Sequence, residues 1–419
     1  MSGFLRDLSY LGLGSIVQNV FAFILQILLA KNLAVDQFGM VSFFNGVVSI
    51  YALVGTAGIS AFLPAFSKRR ALAGEPPPHA MLCWAGIIAG LFAAGNLAVY
   101  WSGGYRGFRV DLHGLYPWVS AIMLPACLSA SIQSVFIGYG KTRMVFHANL
   151  IQESARLLMT LVLLKLDCMT VPNLAMGWAL IYVAGLAGNA ILYLRWVRVF
   201  RNPFSEKIRW SADNLGAMSF LIPATATMLL PRLIVFLTGI FHSSAETARI
   251  SVALIFMSPF AVLLVPYQTA LLSHFQEHRD GSGTGNFLRR AGRDLALIIA
   301  VSGAGACLLG WFGIETFFGA DLADARAYLL PLALVFALDA PRAVLDVFFI
   351  SLLPRRLIVG AETVRALGIV AVYGLFPGAD AVRLLFAIAA LVAAANVFKG
   401  IKAAGYLASR DAVAARSAS

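Results

Sequence analysis

The sequence predicts an all-α fold, a polytopic membrane protein of about twelve transmembrane helices set as two six-helix bundles related by a pseudo-two-fold axis around a central cavity. Three observations carry this expectation. Of the 419 residues, 60% are hydrophobic and 12% charged, with a mean hydropathy of +0.82, whereas a soluble globular domain carries about 25% charged residues. Apolar runs long enough to cross a hydrocarbon core of about 30 Å recur from one end to the other. A charged motif also repeats at half the chain length.

In order, the spans are expected at 10–29, 40–62, 80–101, 115–137, 146–164 and 171–194, and then at 215–238, 250–272, 295–311, 327–350, 357–375 and 382–397. The first has no small-residue cleavage site behind it and leads straight into further spans, so it is expected to be a retained helix and not a secretory signal. Alternate loops collect the positive charge: Lys68, Arg69 and Arg70; Lys141 and Arg143; Arg195, Arg198, Arg201, Lys207 and Arg209; Arg279, Arg289, Arg290 and Arg293; Arg355 and Arg356; and Lys399 and Lys402 after the last span. Basic loops stay in the cytoplasm, which places both termini there and puts 103–114 and 313–326 outside, the latter with Glu315, Asp321 and Asp324. The basic stretch 195–214, RWVRVFRNPFSEKIRWSADN, reads as a linker between an N-terminal bundle, 1–205, and a C-terminal bundle, 206–419.

The composition also excludes function classes. A net charge of +12 does not point to nucleic acid as a partner, because the basic residues are scattered through short loops and form a topology signal instead. Cys83, Cys127, Cys168 and Cys307 lie in or beside apolar spans without paired spacing and read as packing residues. There is no nucleophile with an adjacent base and no zinc spacing. GSGTG at 281–285 lacks the lysine of a nucleotide-binding loop. No cofactor, metal or ATP site is expected, and neither is catalysis.

The repeat is ESAR at 153–156 in the fifth span and ETVR at 362–365 in the eleventh. In parallel-repeat transporters the path lies between two halves of this kind. On the fifth span Asn149, Gln152, Glu153 and Arg156 fall at i, i+3, i+4 and i+7, forming one polar stripe. Glu and Arg three residues apart can be a neutral structural lock. The alternative is a polar cavity, which the extra amides Asn149 and Gln152 would suit.

The tenth span holds FALDAPRAVLDVFF, 336–349. Asp339, Arg342 and Asp346 share a face within about 60°. Three central charges cost roughly 8–10 kcal/mol on insertion, more than the apolar residues of this helix return. The face must therefore meet partners or water, and Pro341 should break or bend the helix between the first two charges. Two readings stand: a salt-bridged triad that packs against a neighbour, or a cavity wall on which Arg342 meets substrate and Asp339 or Asp346 orients it and takes up an ion.

AKNLAVDQFGMVSF at 30–43, GYGKTR at 138–143 and FFGADLADARAYLLPL at 317–332 stand in the order and at the helix positions of a known pattern. In these the chain resembles the polysaccharide transporter branch of the multidrug, oligosaccharidyl-lipid and polysaccharide exporter superfamily. It departs from that pattern at LLPRLIV, where Pro231 replaces an acid and Arg232 alone matches, and at GIFHSSAETARIS after the seventh span.

The resemblance implies an alternating-access flippase in the bacterial inner membrane. It would carry undecaprenyl-diphosphate-linked oligosaccharide repeat units across for O-antigen, capsule or exopolysaccharide synthesis, with H+ or Na+ as coupling ion and a polymerase and chain-length proteins as partners beside the membrane lipids. Such cargo needs cations for the diphosphate and amides for the sugar. Arg156, Arg232, Arg342 and Arg365, with Gln133, Asn149 and Gln152, are the expected substrate contacts. Glu153, Asp339, Asp346 and Glu362 are the expected ion-coupling or orienting groups. The alternatives are a multidrug or cation antiporter of the same fold, which would favour an acidic cavity, and a membrane-embedded polysaccharide polymerase, which should carry a large extracytoplasmic loop or paired catalytic acids.

Overall fold

The computed structural model describes residues 2–56, 58–103, 108–110, 112, 114–200, 230–258, 260, 263–264, 267, 284–342, 344–346 and 355–418. Among these every regular element is helical. In order they are α1 (Ser2–Asn32), α2 (Val35–Val54), α3 (Ile59–Leu72), α4 (His79–Trp101), α5 (Tyr116–Gly138), α6 (Thr142–Lys165), α7 (Val171–Val197), α8 (Leu230–Phe241), α9 (Ser244–Phe256), α10 (Thr284–Gly313), α11 (Leu329–Asp339), α12 (Arg355–Leu375) and α13 (Ala381–Ala418). The chain is a multi-pass membrane protein. Among the described residues six stretches are long and apolar enough to cross a bilayer, including His79–Trp101, Tyr116–Gly138 and Ala381–Tyr406. The 23 residues of α4 reach about 35 Å at about 1.5 Å per residue. Its Ile87, Leu91 and Val99, like Leu297, Val301 and Leu308 of α10, are exposed apolar side chains of the kind that face lipid. The 24-residue α6 is not among the six, since it carries Glu153 and Arg156 together with His147, Asn149 and Gln152.

Two compact units divide the chain at Ser251/Val252. The expected linker and the boundary at 205/206 fall largely on 201–229, outside the described residues, as does most of the seventh span. In the N-terminal unit, Ile59, Phe62 and Leu63 of α3, Met81 and Ala85 of α4, Ile132, Val135 and Phe136 of α5 and Tyr193 and Val197 of α7 form one buried cluster. Helices α3 and α5 cross closely at Gly138, where a Cβ would strike Ser67 and lie 2.7 Å from the Pro64 carbonyl oxygen. The single span expected at 40–62 is divided between α2 and α3. Gly58 turns the chain between them at φ +80°, a conformation that a residue without Cβ adopts at no steric cost.

The C-terminal unit contains α10 to α13. The stretch 313–326, expected as an outside loop, is helical: a π turn at Ile314–Phe318 is followed by a 3-10 segment at Ala320–Tyr328. Arg326 fastens it by donating to the Trp311 carbonyl (2.8 Å) and pairing with Glu315 (2.6 Å). Regular helix α11 stops at Asp339. Ala340 forms a turn with near-helical backbone (φ −56°, ψ −38°), and 341–342 and 344–346 are helical again. Pro341 has no N–H for the Ala337 carbonyl and its ring crowds that oxygen, so the ladder is interrupted where the sequence placed the break. Asn396 of α13 donates to the Leu338 carbonyl beside the interruption (2.6 Å).

Candidate functional site

In the N-terminal unit the polar stripe of α6 faces α2, α5 and α7. Gln133 of α5 donates to the Asn149 side-chain oxygen (2.9 Å), which fixes both amides. Gln152 lies against Gly185 of α7, where a Cβ would sit 3.2 Å from its Oε1. Arg156 pairs with Glu153 at 3.2 Å. Its guanidinium also reaches Asn45 Oδ1 of α2 (3.5 Å) and lies over the ring of Trp178 of α7, 4.6 Å from the centroid. Buried Trp178 thus gives the arginine a planar face to stack on. Arg156 Nε has no hydrogen-bond partner among the described residues. Arg232 of α8 is exposed and lies within Coulombic reach of Arg156, Tyr182 and Glu153. Glu153 pairs with Arg156, and with Arg232 nearby the group holds one more cation than carboxylate among the described residues.

In the C-terminal unit six charged side chains from α11 and its continuation, α12 and α13 form a closed ring. Arg342 Nε donates to Asp339 (3.2 Å) and its Nη1 to Asp346 (3.4 Å). Lys399 Nζ lies 2.9 Å from Asp346 and also pairs with Glu362. Glu362 pairs with Arg365 at 2.8 Å, and Arg365 returns to Asp339. Acid and base alternate all the way round, three of each, so the ring is neutral. All six residues are buried. Removal of two ions from water costs several kcal/mol per ion, and only full mutual pairing of this kind repays it.

Both copies of the repeated motif form the expected i, i+3 ion pair, Glu153–Arg156 and Glu362–Arg365, yet their surroundings differ. The first sits beside an extra cation, and the second is one arc of the neutral ring. Asp339, Arg342 and Asp346, read as either a salt-bridged triad or a cavity wall, and Glu362 and Arg365, expected as an orienting group and a substrate contact, are brought together and turned on one another. Gln133, Asn149, Gln152, Glu153, Arg156 and Arg232 gather in the N-terminal unit. The sequence reading missed Lys399, which it placed in a loop after the last span, and also Trp178. A signal for Lys399 was present: Asp339, Asp346 and Glu362 outnumber Arg342 and Arg365 by one, and a buried cluster one cation short calls for another.

No family model matches the chain, and no curated protein matches it. Solved structures do. One is an inward-facing multidrug resistance MATE family transporter of the MOP superfamily, at 13% identity and a TM-score of 0.66 over 94% of this chain and 95% of that one. A MATE transporter in a bent conformation matches at 12% and 0.64 over 99% and 96%. A MOP superfamily transporter from Pyrococcus furiosus, described by the reversed polarity of its binding pocket, matches at 12% and 0.63 over 97% and 95%. At these identities the likeness is one of fold: the chain has the MATE-like transporter fold.

Proposed function

We propose that this transporter moves an anionic amphiphile, and that its cargo is a lipid-linked oligosaccharide carried on a diphosphate. The observation that supports this reading is the surplus cation at Arg156 and Arg232. A diphosphate is recognised by guanidinium groups that retain donors for it; Arg156 Nε has no partner among the described residues, and Arg232 is exposed. The bonded amides Gln133 and Asn149, with Gln152 and the ring of Trp178, supply the neutral polar and stacking contacts that sugars accept.

In this reading the neutral ring of the C-terminal unit is the orienting and ion-responsive element. Arg342 and Arg365 reach the substrate only when a carboxylate partner releases them, and uptake of H+ or Na+ by Asp339, Asp346 or Glu362 is the event that would do so. The multidrug antiporter reading is favoured by the MATE structures of the same fold. A cationic drug, however, calls for an unneutralised acid, and each of Glu153, Asp339, Asp346 and Glu362 has a basic partner.

The test is deletion of the gene in its host. A flippase loss leaves radiolabelled lipid-linked repeat units in the inner leaflet. A polymerase loss leaves single units already flipped. Unchanged surface polysaccharide together with new sensitivity to cationic drugs would overturn the proposal in favour of the antiporter.

A further inference from the structure

Between α12 and α13 lies a cavity of about 510 Å³ lined by Gly360, Ala361, Val364, Arg365, Leu391, Ala394, Ala395 and Phe398. Those on α13 are spaced i, i+3, i+4 and i+7 and those on α12 by one and four, so each helix gives a single face to it. Small residues in a membrane usually let two helices approach closely, and farther along this pair they do: a Cβ on Gly368 would come within 2.6 Å of Leu391 Cδ2. At the other end the helices part, and a Cβ on Gly360 would meet nothing within 4 Å. The rim residues Val364 and Phe398 are 67% and 51% exposed.

The volume is that of an ordinary ligand site, about 300–1,000 Å³, but the walls are almost wholly aliphatic. The only charge on them, Arg365, is held by Asp339 and Glu362. The open end is basic. Exposed Lys402 stands there with its ammonium 5.6 Å from the Phe398 ring. A groove that is apolar along its length and cationic at one mouth fits a hydrocarbon chain with an anionic head.

We infer that the α12–α13 groove is a binding site for an anionic phospholipid, one acyl chain lying along Gly360, Ala361, Ala394 and Ala395 and the headgroup held at Lys402. The inference does not depend on the transported substrate. Its consequence is local: Arg365 is both a wall of the groove and a member of the buried ring, so the seated chain keeps lipid headgroups and water from the back of that ring and holds Arg365 in place between Asp339 and Glu362.

The test is native mass spectrometry of the full chain in detergent with added phosphatidylglycerol or phosphatidylcholine. One phosphatidylglycerol should be retained in at least fivefold preference to phosphatidylcholine. Ala395→Phe and Ala361→Phe fill the groove from opposite walls, so whichever gives monodisperse protein carries the test; retention should fall to the phosphatidylcholine level. Lys402→Gln should abolish the preference and leave phosphatidylcholine retention unchanged. Absence of preference in the wild type, or wild-type retention in a groove-filled variant, would overturn the inference. So would displacement of phosphatidylglycerol by an equal amount of undecaprenyl phosphate, which would assign the groove to a polyprenyl tail. A dimer that Ala395→Phe dissociates would assign it to a second copy of the chain.

Discussion

Lys399 Nζ lies 2.9 Å from Asp346 Oδ1 and pairs on its other side with Glu362, and these two contacts close the ring of alternating charge in the C-terminal unit. Without Lys399 the ring would hold three carboxylates and two guanidinium groups, all buried. Lys399→Met should therefore cost about 3–5 kcal/mol, the usual penalty for leaving a buried charge without its partner. The double variant Lys399→Met/Asp346→Leu leaves Asp339, Arg342, Glu362 and Arg365 balanced and should recover most of the loss. Thermal unfolding of purified protein checks both. Simple addition of the two single-variant losses would contradict the ring as a coupled unit.

Arg156 and Arg232 make a prediction of the opposite kind. Neither is required for neutrality, so Arg232→Ala should leave membrane protein levels unchanged and lower transport by about tenfold or more, the worth of about one charge-assisted contact. Arg156→Lys should retain part of the activity, because charge is kept while the guanidinium plane that lies over Trp178 is lost. Surface polysaccharide measured against immunoblotted protein level gives the comparison.

The crossing of α3 and α5 makes a stability prediction independent of transport. Gly138→Val would drive a side chain into Ser67 and the Pro64 carbonyl, and backbone cannot yield as a flexible side chain does. A loss of about 1–3 kcal/mol is expected. A detergent-solubilised variant that unfolds at the wild-type temperature would show that these helices separate easily.

Topology can be checked on two exposed positions. In a chain whose Cys83, Cys127, Cys168 and Cys307 are replaced, a membrane-impermeant thiol reagent should label Asp321→Cys and not Lys141→Cys in intact cells. The distribution of Lys and Arg between alternate loops motivates this. The reverse pattern would invert the orientation.

The helices were legible in the sequence because lipid imposes a long, uninterrupted apolar run on anything that crosses it. α4, α5 and α7 begin and end within three residues of their expected positions. The interruption at Pro341 was legible for a similar reason, since a missing N–H is a property of the residue itself. The division between α2 and α3 was not, because the apolar run carries on past Gly58 through Ile59 to Leu63, while the positive φ of Gly58 turns the chain there. Asp339, Arg342 and Asp346 announced themselves as charges that could not stay unpaired in hydrocarbon. Their partners were less visible. Glu362 and Arg365 were seen as a repeat, while Lys399 looked like one more basic residue after a span, because α13 continues well beyond the expected end at 397. The same four-letter motif therefore does two different things, since neighbours that differ between the halves, Arg232 in one and Lys399 with Asp339 in the other, decide its net charge.

The central claim, that the cargo is anionic, is tested most directly in proteoliposomes that hold the purified chain and a labelled diphosphate-linked oligosaccharide lipid. The measurement is the fraction of that lipid reached by an impermeant glycosidase added outside, before and after a pH or sodium gradient is imposed. The account predicts translocation beyond the protected half, slowed about tenfold or more by Arg156→Ala or Arg232→Ala and indifferent to a cationic dye. Failure to move the lipid in vesicles that expel the dye under the same gradient would contradict it.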